Sequence, residues 1–257
     1  MTSKYKVTIH NDKEIPLKLT KFAGGEWQVQ LEVTSDLKMA KFCVIRADIK
    51  DGEIMPLALI TDAIRAAVPA VPLYLCMPYL PYARQDRRMG EGQALSVKVF
   101  ANFINSLNFR EVDIANCHSD VGIALLERVK NFPISQPEFM PVVDALIAPD
   151  FGATKKTHDA AKRWGIKEVI QAGKMRDVGT GELSDPIIFG NVHGKDVLVI
   201  DDICDGGRTF LQLATALKEA GANNLYLHVT HGIFSYGAKE KLREAGYYVT
   251  ATYDWTE

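Results

Sequence analysis

A chain of 257 residues, 47% hydrophobic and 24% charged, can bury a sizeable core in one or two domains. Its 30 basic and 32 acidic residues leave a net charge of −2, which argues against a general polyanion-binding surface and so against a nucleic-acid partner, while a local basic site stays open. No apolar run approaches the roughly 18 residues of a membrane span, and the opening MTSKYKVTIHNDKE lacks the apolar core of a signal peptide, so no membrane role is expected. The cysteines Cys43, Cys76, Cys117 and Cys204 are scattered without metal-ligand spacing; with Cys43 and Cys76 inside apolar runs as packing residues, a reducing cytoplasm is the expected compartment.

Apolar runs of strand length follow one another along the chain: KFCVIRA at 41–47, VPLYLCMP at 71–78, EVDIANC at 111–117, DALIAP at 144–149, KEVIQAG at 167–173, DVLVID at 196–201 and NLYLHVT at 224–230. Helix-period stretches at 54–67, 96–107, 154–164 and 209–220 lie between them. Mostly unalternated β-branched and leucine runs separated by helices predict a parallel sheet covered on both faces, and so an α/β fold. The layout also repeats. VPLYLCMPYLPYARQD, a helix and EVDIANCHSD correspond to DVLVIDDICDGGRT, a helix and NLYLHVTHGIFS, each being strand, polar loop, helix, strand and histidine. Two related α/β domains are therefore expected, 1–140 and 141–257, meeting near residues 138–146.

The stretch VLVIDDICDGGRTF, residues 197–210, places Asp201, Asp202 and Asp205 at the carboxyl end of a buried strand, where ligands gather in doubly wound sheets. Gly206 and Gly207 allow a tight turn with bare amides, Arg208 follows, and Thr209 is expected to begin and cap a helix. Bare amides at a helix start make a phosphate cradle, and the upstream acids can hold sugar hydroxyls directly or through a magnesium ion. The second concentration of chemistry is PYLPYARQDRR, residues 78–88, in which arginines can stack on a base or pair with phosphate and Gln85 can read a base edge. Taken singly, His118 reads as a strand-end histidine and the basic pair Lys174 and Arg176 as a solvated loop, while Phe22 is equally a core residue. Trp27 and Trp164 suit packing, and His231 a structural strand end.

The 201–209 loop resembles the phosphoribosyl-pyrophosphate motif of type I phosphoribosyltransferases, two acids followed by Asp-Thr-Gly-Gly-Thr, with Gly206 in place of a threonine and Arg208 in place of a glycine. YARQDR resembles the Pro-Tyr-Phe-Gly-Tyr-Ala-Arg-Gln-Asp-Arg signature of ribose-phosphate pyrophosphokinases. Four more segments are similar to that family in order: FAGGEWQVQL to Phe-Ser-Asp-Gly-Glu, NCHSD to Asp-Leu-His-Ala-Asp, APDFGA to Ser-Pro-Asp-Ile-Gly-Gly and GKMRD to Asp-Lys-Arg-Arg. VTHGIFSYGA matches the segment Ala-Thr-His-Pro-Ile-Phe-Ser.

The resemblance implies two phosphoribosyltransferase-like domains, each a mostly parallel sheet flanked by helices, the first on the nucleotide side and the second on the ribose-phosphate side. It implies transfer of the β,γ-diphosphate of ATP to the anomeric hydroxyl of ribose 5-phosphate, with Mg2+ held by His118 and Asp150. Arg84, Gln85 and Arg87 would hold ATP, joined by Phe22 and Glu26 from a neighbouring subunit, so that the active unit is a homo-oligomer, a dimer or hexamer. Lys174, Arg176 and His118 take the catalytic positions; Asp201, Asp202, Asp205, Gly206, Gly207, Arg208 and Thr209 take the ribose-phosphate positions. Departures accompany the match: Gly24 and Asn116 replace acids, the family's first strand and helix are not evident, and the chain stops soon after TATYDWTE, which would leave ADP only a competitor of ATP. The space at Gly206 and the guanidinium of Arg208 keep a larger acceptor, ADP-ribose, open, its product serving NAD synthesis. A phosphoribosyltransferase or phosphoribosyl-pyrophosphate-sensing regulator would have no use for YARQDR. A non-catalytic synthetase-associated subunit would not need His118, Asp150, Lys174 and Arg176.

Overall fold

The computed structural model describes residues 4–49, 53–173 and 185–256. Its contacts divide the chain into two compact units, Met1–Phe132 and Pro133–Glu257, where the sequence reading set the junction at 140/141. Among the described residues no helix is long and apolar enough to cross a membrane.

In the first unit, β1 (Tyr5–Ile9) and β2 (Glu14–Ile15) precede a hairpin of β3 (Leu17–Lys21) and β4 (Trp27–Leu31) and a short α1 (Ser35–Lys38). There follow β5 (Cys43–Ala47), α2 (Met55–Ala67), β6 (Leu73–Cys76), α3 (Ser96–Ser106), β7 (Glu111–Ala115), α4 (Asp120–Leu125) and β8 (Val129–Phe132). The sheet order is β2-β1-β5-β6-β7-β8, parallel from β5 onward, with β1 antiparallel at the side. Right-handed crossovers that always step in one direction place their helices on one face. Burial agrees: Val7, Ile45, Leu75 and Val112 lie in one row across the sheet and share a core with Leu57, Ile60, Val97 and Phe100 of α2 and α3. The opposite face carries the row Lys6, Arg46, Cys76 and Asp113. The expected helical cover of both faces therefore does not hold for this sheet.

The second unit runs β9 (Ala145–Ala148), α5 (Thr154–Trp164), β10 (Glu168–Gly173), β11 (Ile187–Phe189), β12 (Val197–Cys204), α6 (Arg208–Glu219) and β13 (Leu225–Gly232), then a 3₁₀ turn (Ser235–Gly237), α7 (Ala238–Glu244) and β14 (Tyr247–Asp254). Its order, β11-β10-β9-β12-β13-β14, is parallel except at β11. The chain steps from β9 to β10 in one direction and from β12 to β13 and β14 in the other, so the helices fall on opposite faces. Leu146, Leu198 and Ile200 pack with Ala160 and Ala161 of α5, whereas Ile147, Val197 and Val199 pack with Phe210, Leu213 and Leu242 of α6 and α7. This is the doubly wound arrangement expected, and it puts a reversal of strand order between β9 and β12.

Candidate active site

The reversal point in the second unit collects the acids. Asp150 follows the carboxyl end of β9, and Asp201 and Asp202 lie in the last half of the adjacent β12. Asp202 is buried, and its backbone N–H donates to Asp201 Oδ1 at 2.8 Å. The Asp201 carboxyl is raised well above the ordinary carboxylate range, chiefly by loss of water, then by the charge of Asp202, with that of Asp150 adding to it. Asp150 Oδ1 accepts from Ala153 N–H at 2.9 Å, which sets the entry to α5.

Beyond β12 the chain turns through Asp205 and Gly206 into α6. Gly207 is the N-cap, at φ +74, a conformation that only glycine adopts without strain. Arg208 is then the first helical residue and Thr209 the second, with no side-chain capping bond. This corrects the expectation that Thr209 caps the helix: the left-handed glycine makes the turn and moves the start one residue earlier. Arg208, Thr209 and Gly206 are exposed, and a Cβ on Gly206 would meet nothing within 4 Å. The amides at the start of a 12-residue helix, open to solvent beside the acids, make an anion cradle.

In the first unit, Arg84, Gln85, Arg87 and His118 line one cleft of about 600 Å³ together with Met89 and Gln93. The strands β6 and β7, neighbours in the sheet, bring the 78–88 loop and the His118 loop to the same edge. Asp86 links them. Its carboxylate accepts from Arg87 Nε at 2.9 Å and from Ser119 Oγ at 2.7 Å, and those two bonds, Arg87's first, pull its pKa down to about 2. Ser119 also caps α4, its Oγ accepting from Val121 N–H at 3.1 Å. Met89, Gln93 and Ser119 were not singled out from sequence, and Asp86 was noted only as part of the charged 84–88 stretch; a serine directly before the Asp120 that opens a helix is a capping signal that would have drawn attention to Ser119. Phe22 and Glu26 are not part of this cleft's lining. They sit at the exposed turn between β3 and β4, closed by Phe22 N–H to the Glu26 carbonyl at 2.8 Å. Phe22 is half exposed, so it is not the core residue that sequence left open. Lys174 and Arg176 lie outside the described residues.

Among the described residues no three histidine, cysteine or acidic side chains cluster as a metal cage. Magnesium asks for less: one or two carboxylates, with phosphate oxygens and water completing the shell. The hard oxygen donors Asp150, Asp201 and Asp202, whose mutual repulsion a divalent cation would relieve, suit that demand.

Two family models match the chain. The N-terminal domain of ribose phosphate pyrophosphokinase covers residues 7–107, and the phosphoribosyl synthetase-associated domain covers 168–251. A ribose-phosphate pyrophosphokinase of Cereibacter sphaeroides is 27% identical over 91% of this chain and 68% of its own length. One from Shewanella oneidensis is 28% identical over 86% of this chain and 72% of its own. In fold, the chain is similar to the phosphoribosylpyrophosphate synthetase of Mycobacterium smegmatis, with a TM-score of 0.74 at 19% identity over 94% of this chain and 87% of that one. Two phosphoribosyltransferase-like α/β units, one with an arginine-rich cleft and one with an acid-and-glycine cradle, define a nucleotide- and sugar-phosphate-handling class. Over nearly its whole length the chain is similar to ribose-phosphate pyrophosphokinases.

Proposed function

We propose that the chain moves the β,γ-diphosphate of ATP to the anomeric hydroxyl of ribose 5-phosphate, giving phosphoribosyl pyrophosphate and AMP. The observation that carries this reading is the cleft of the first unit, where Arg84, Gln85, Arg87 and His118 converge. A phosphoribosyltransferase needs the cradle of the second unit and has no task for that cleft. The anomeric oxygen attacks the β-phosphorus in line and its hydroxyl proton passes to water; the new O–P bond forms as the bond to the α,β-bridging oxygen breaks, and AMP leaves with that electron pair. Such transfers depend on positioning and on neutralising charge. Arg84 and Gln85 hold the nucleotide and Arg87 its phosphates. Asp201 and Asp202 accept from the ribose hydroxyls, and residues 205–209 hold the 5-phosphate on the α6 amides. Lys174 and Arg176 meet the charge on the migrating diphosphate. His118 in the first unit and Asp150 in the second would each hold magnesium, which when bound offsets phosphate charge. Phe22 and Glu26 reach a second copy's nucleotide, and the reaction runs in the cytoplasm, where the four free thiols stay reduced.

The test is AMP release from ATP and magnesium, with kcat/KM measured for ribose 5-phosphate and for ADP-ribose under the same conditions. Preference for ribose 5-phosphate supports the reading. Preference for ADP-ribose, lost in Arg208→Gly, would reassign the acceptor, and no AMP release with either sugar would remove the activity.

A further inference from the structure

The cleft of the first unit is built from two loops that are far apart in sequence, and one side chain bonds across them. Ser119 is almost fully buried, extended in backbone, and has one hydroxyl proton and two uses for its oxygen. The proton goes to Asp86 Oδ2 at 2.7 Å, since a carboxylate only accepts. The oxygen accepts from Val121 N–H at 3.1 Å. The other Asp86 oxygen accepts from Arg87 Nε at 2.9 Å, so the α4 backbone, Ser119 and the Arg87 guanidinium are linked by hydrogen bonds that converge on the Asp86 carboxylate. An apolar contact lies beside it: a Cβ on Gly122 would stand 2.8 Å from Leu80 Cδ2, so the first turn of α4 rests directly on the 78–88 loop. His118 is held on its other side as well, with Cys117 N–H donating to Asn131 Oδ1 at 3.0 Å and Asn116 N–H to the Phe132 carbonyl at 2.6 Å. In the family segment that NCHSD resembles, the residue after the histidine is alanine, which can donate nothing.

We propose that Ser119 is a positioning residue for the nucleotide: acting through Asp86, its hydroxyl holds the Arg84, Gln85 and Arg87 loop and the His118 loop in one arrangement. The inference rests on the reading that this cleft takes ATP. A carboxylate fixed on both oxygens presents Arg87 in one geometry. With the Ser119 bond gone, Asp86 and Arg87 turn together and the loop samples arrangements that do not grip phosphate, so apparent affinity falls with the fraction of competent protein.

The experiment measures kcat, KM for ATP and KM for ribose 5-phosphate in the wild type, Ser119→Ala, Ser119→Thr, Asp86→Ala and the Ser119→Ala/Asp86→Ala pair. Loss of a hydrogen bond to a charged group is expected to raise KM for ATP about tenfold in Ser119→Ala, with kcat and the KM for ribose 5-phosphate little changed. Threonine keeps the hydroxyl and the cap, so Ser119→Thr restores the wild-type KM. In the Asp86→Ala background the serine change adds nothing further, because the two act as one unit. A role in capping alone would lower the melting temperature in every background and leave KM for ATP unmoved, which overturns the proposal. If Ser119→Ala does not fold, Ser119→Gly, nearly neutral at an N-cap, carries the same comparison. An active wild type with an unchanged serine variant overturns this inference alone; a wild type that neither binds nor turns over ATP overturns the reading of the cleft and this inference with it.

Discussion

His228 on β13 joins three segments. Its Nδ1 meets Thr250 Oγ1 at 2.9 Å and its Nε2 meets the Ser135 carbonyl at 3.1 Å. A carbonyl only accepts, so Nε2 carries the proton and Thr250 donates to Nδ1. Burial pulls this imidazole from 6.5 down to about 4. As pH falls from 6.5 toward 4 the unfolded chain takes up a proton that the folded chain refuses; the stability held above 6.5 is lost across that window, on the order of 3 kcal/mol. Urea unfolding at pH 7 and pH 4.5 should show the fall in the wild type and a smaller one in His228→Gln; equal falls would contradict it. At Lys174, replacement by alanine is expected to lower kcat about 10²–10³-fold with ATP binding little changed. A near wild-type kcat would take Lys174 out of the transition state. At this scale the site was legible where its residues are contiguous, as in 84–87 and 201–209. The Asp86–Ser119 bond joins residues 33 apart, and no local pattern announces it.

Among the elements, the α6 start is the most exacting. Gly207 combines φ +74 with close neighbours: a Cβ there would lie 3.3 Å from Ala238 Cβ and 3.4 Å from Leu242 Cδ1. Gly207→Ala is therefore expected to destabilise the fold by about 1–2 kcal/mol from backbone strain, and to raise KM for the ribose phosphate as the helix amides shift. Thermal melts and KM check this together, and an unchanged KM beside a lowered melting point would separate the turn from binding. The same physics decided what sequence could show. β5, β6, β7, β9, β10, β12 and β13 stand out as apolar runs, and the helical period of 154–164 coincides with α5, which Gly165 closes at φ +73. β1 and β14 were not among these runs because polar residues interleave with their apolar ones, as in the YKVTI of β1, and β4 has no buried residue. Helices on both faces of the first sheet were also expected, and only the direction of successive crossovers, which composition does not carry, puts α2 and α3 on one.

For the whole molecule, the exposed turn bearing Phe22 and Glu26 leads to an expectation about assembly. If these side chains complete a second copy's nucleotide site, the active species is at least a dimer, and light scattering at assay concentrations should find it so; a fully active monomer would deny the turn that role. The reversal between β9 and β12 bears on how the molecule comes to be built. β12, β13 and β14 are joined in sequence by α6 and α7 and pair along their lengths, from Val197↔Leu225 to Cys204↔Gly232 and from Leu225↔Tyr247 to Gly232↔Asp254. β9 meets β12 only from Val197↔Ala145 to Val199↔Ile147, after a detour through β10 and β11. Short loops close early and long ones late. The three-strand C-terminal segment should thus form the nucleus, with β9 docking afterwards, so that Val199→Ala slows folding while Ile147→Ala chiefly speeds unfolding. Asp150 would then come beside Asp201 and Asp202 only in the closing step of folding, and the repulsion among these acids would be met once the rest of the sheet is in place to bear it.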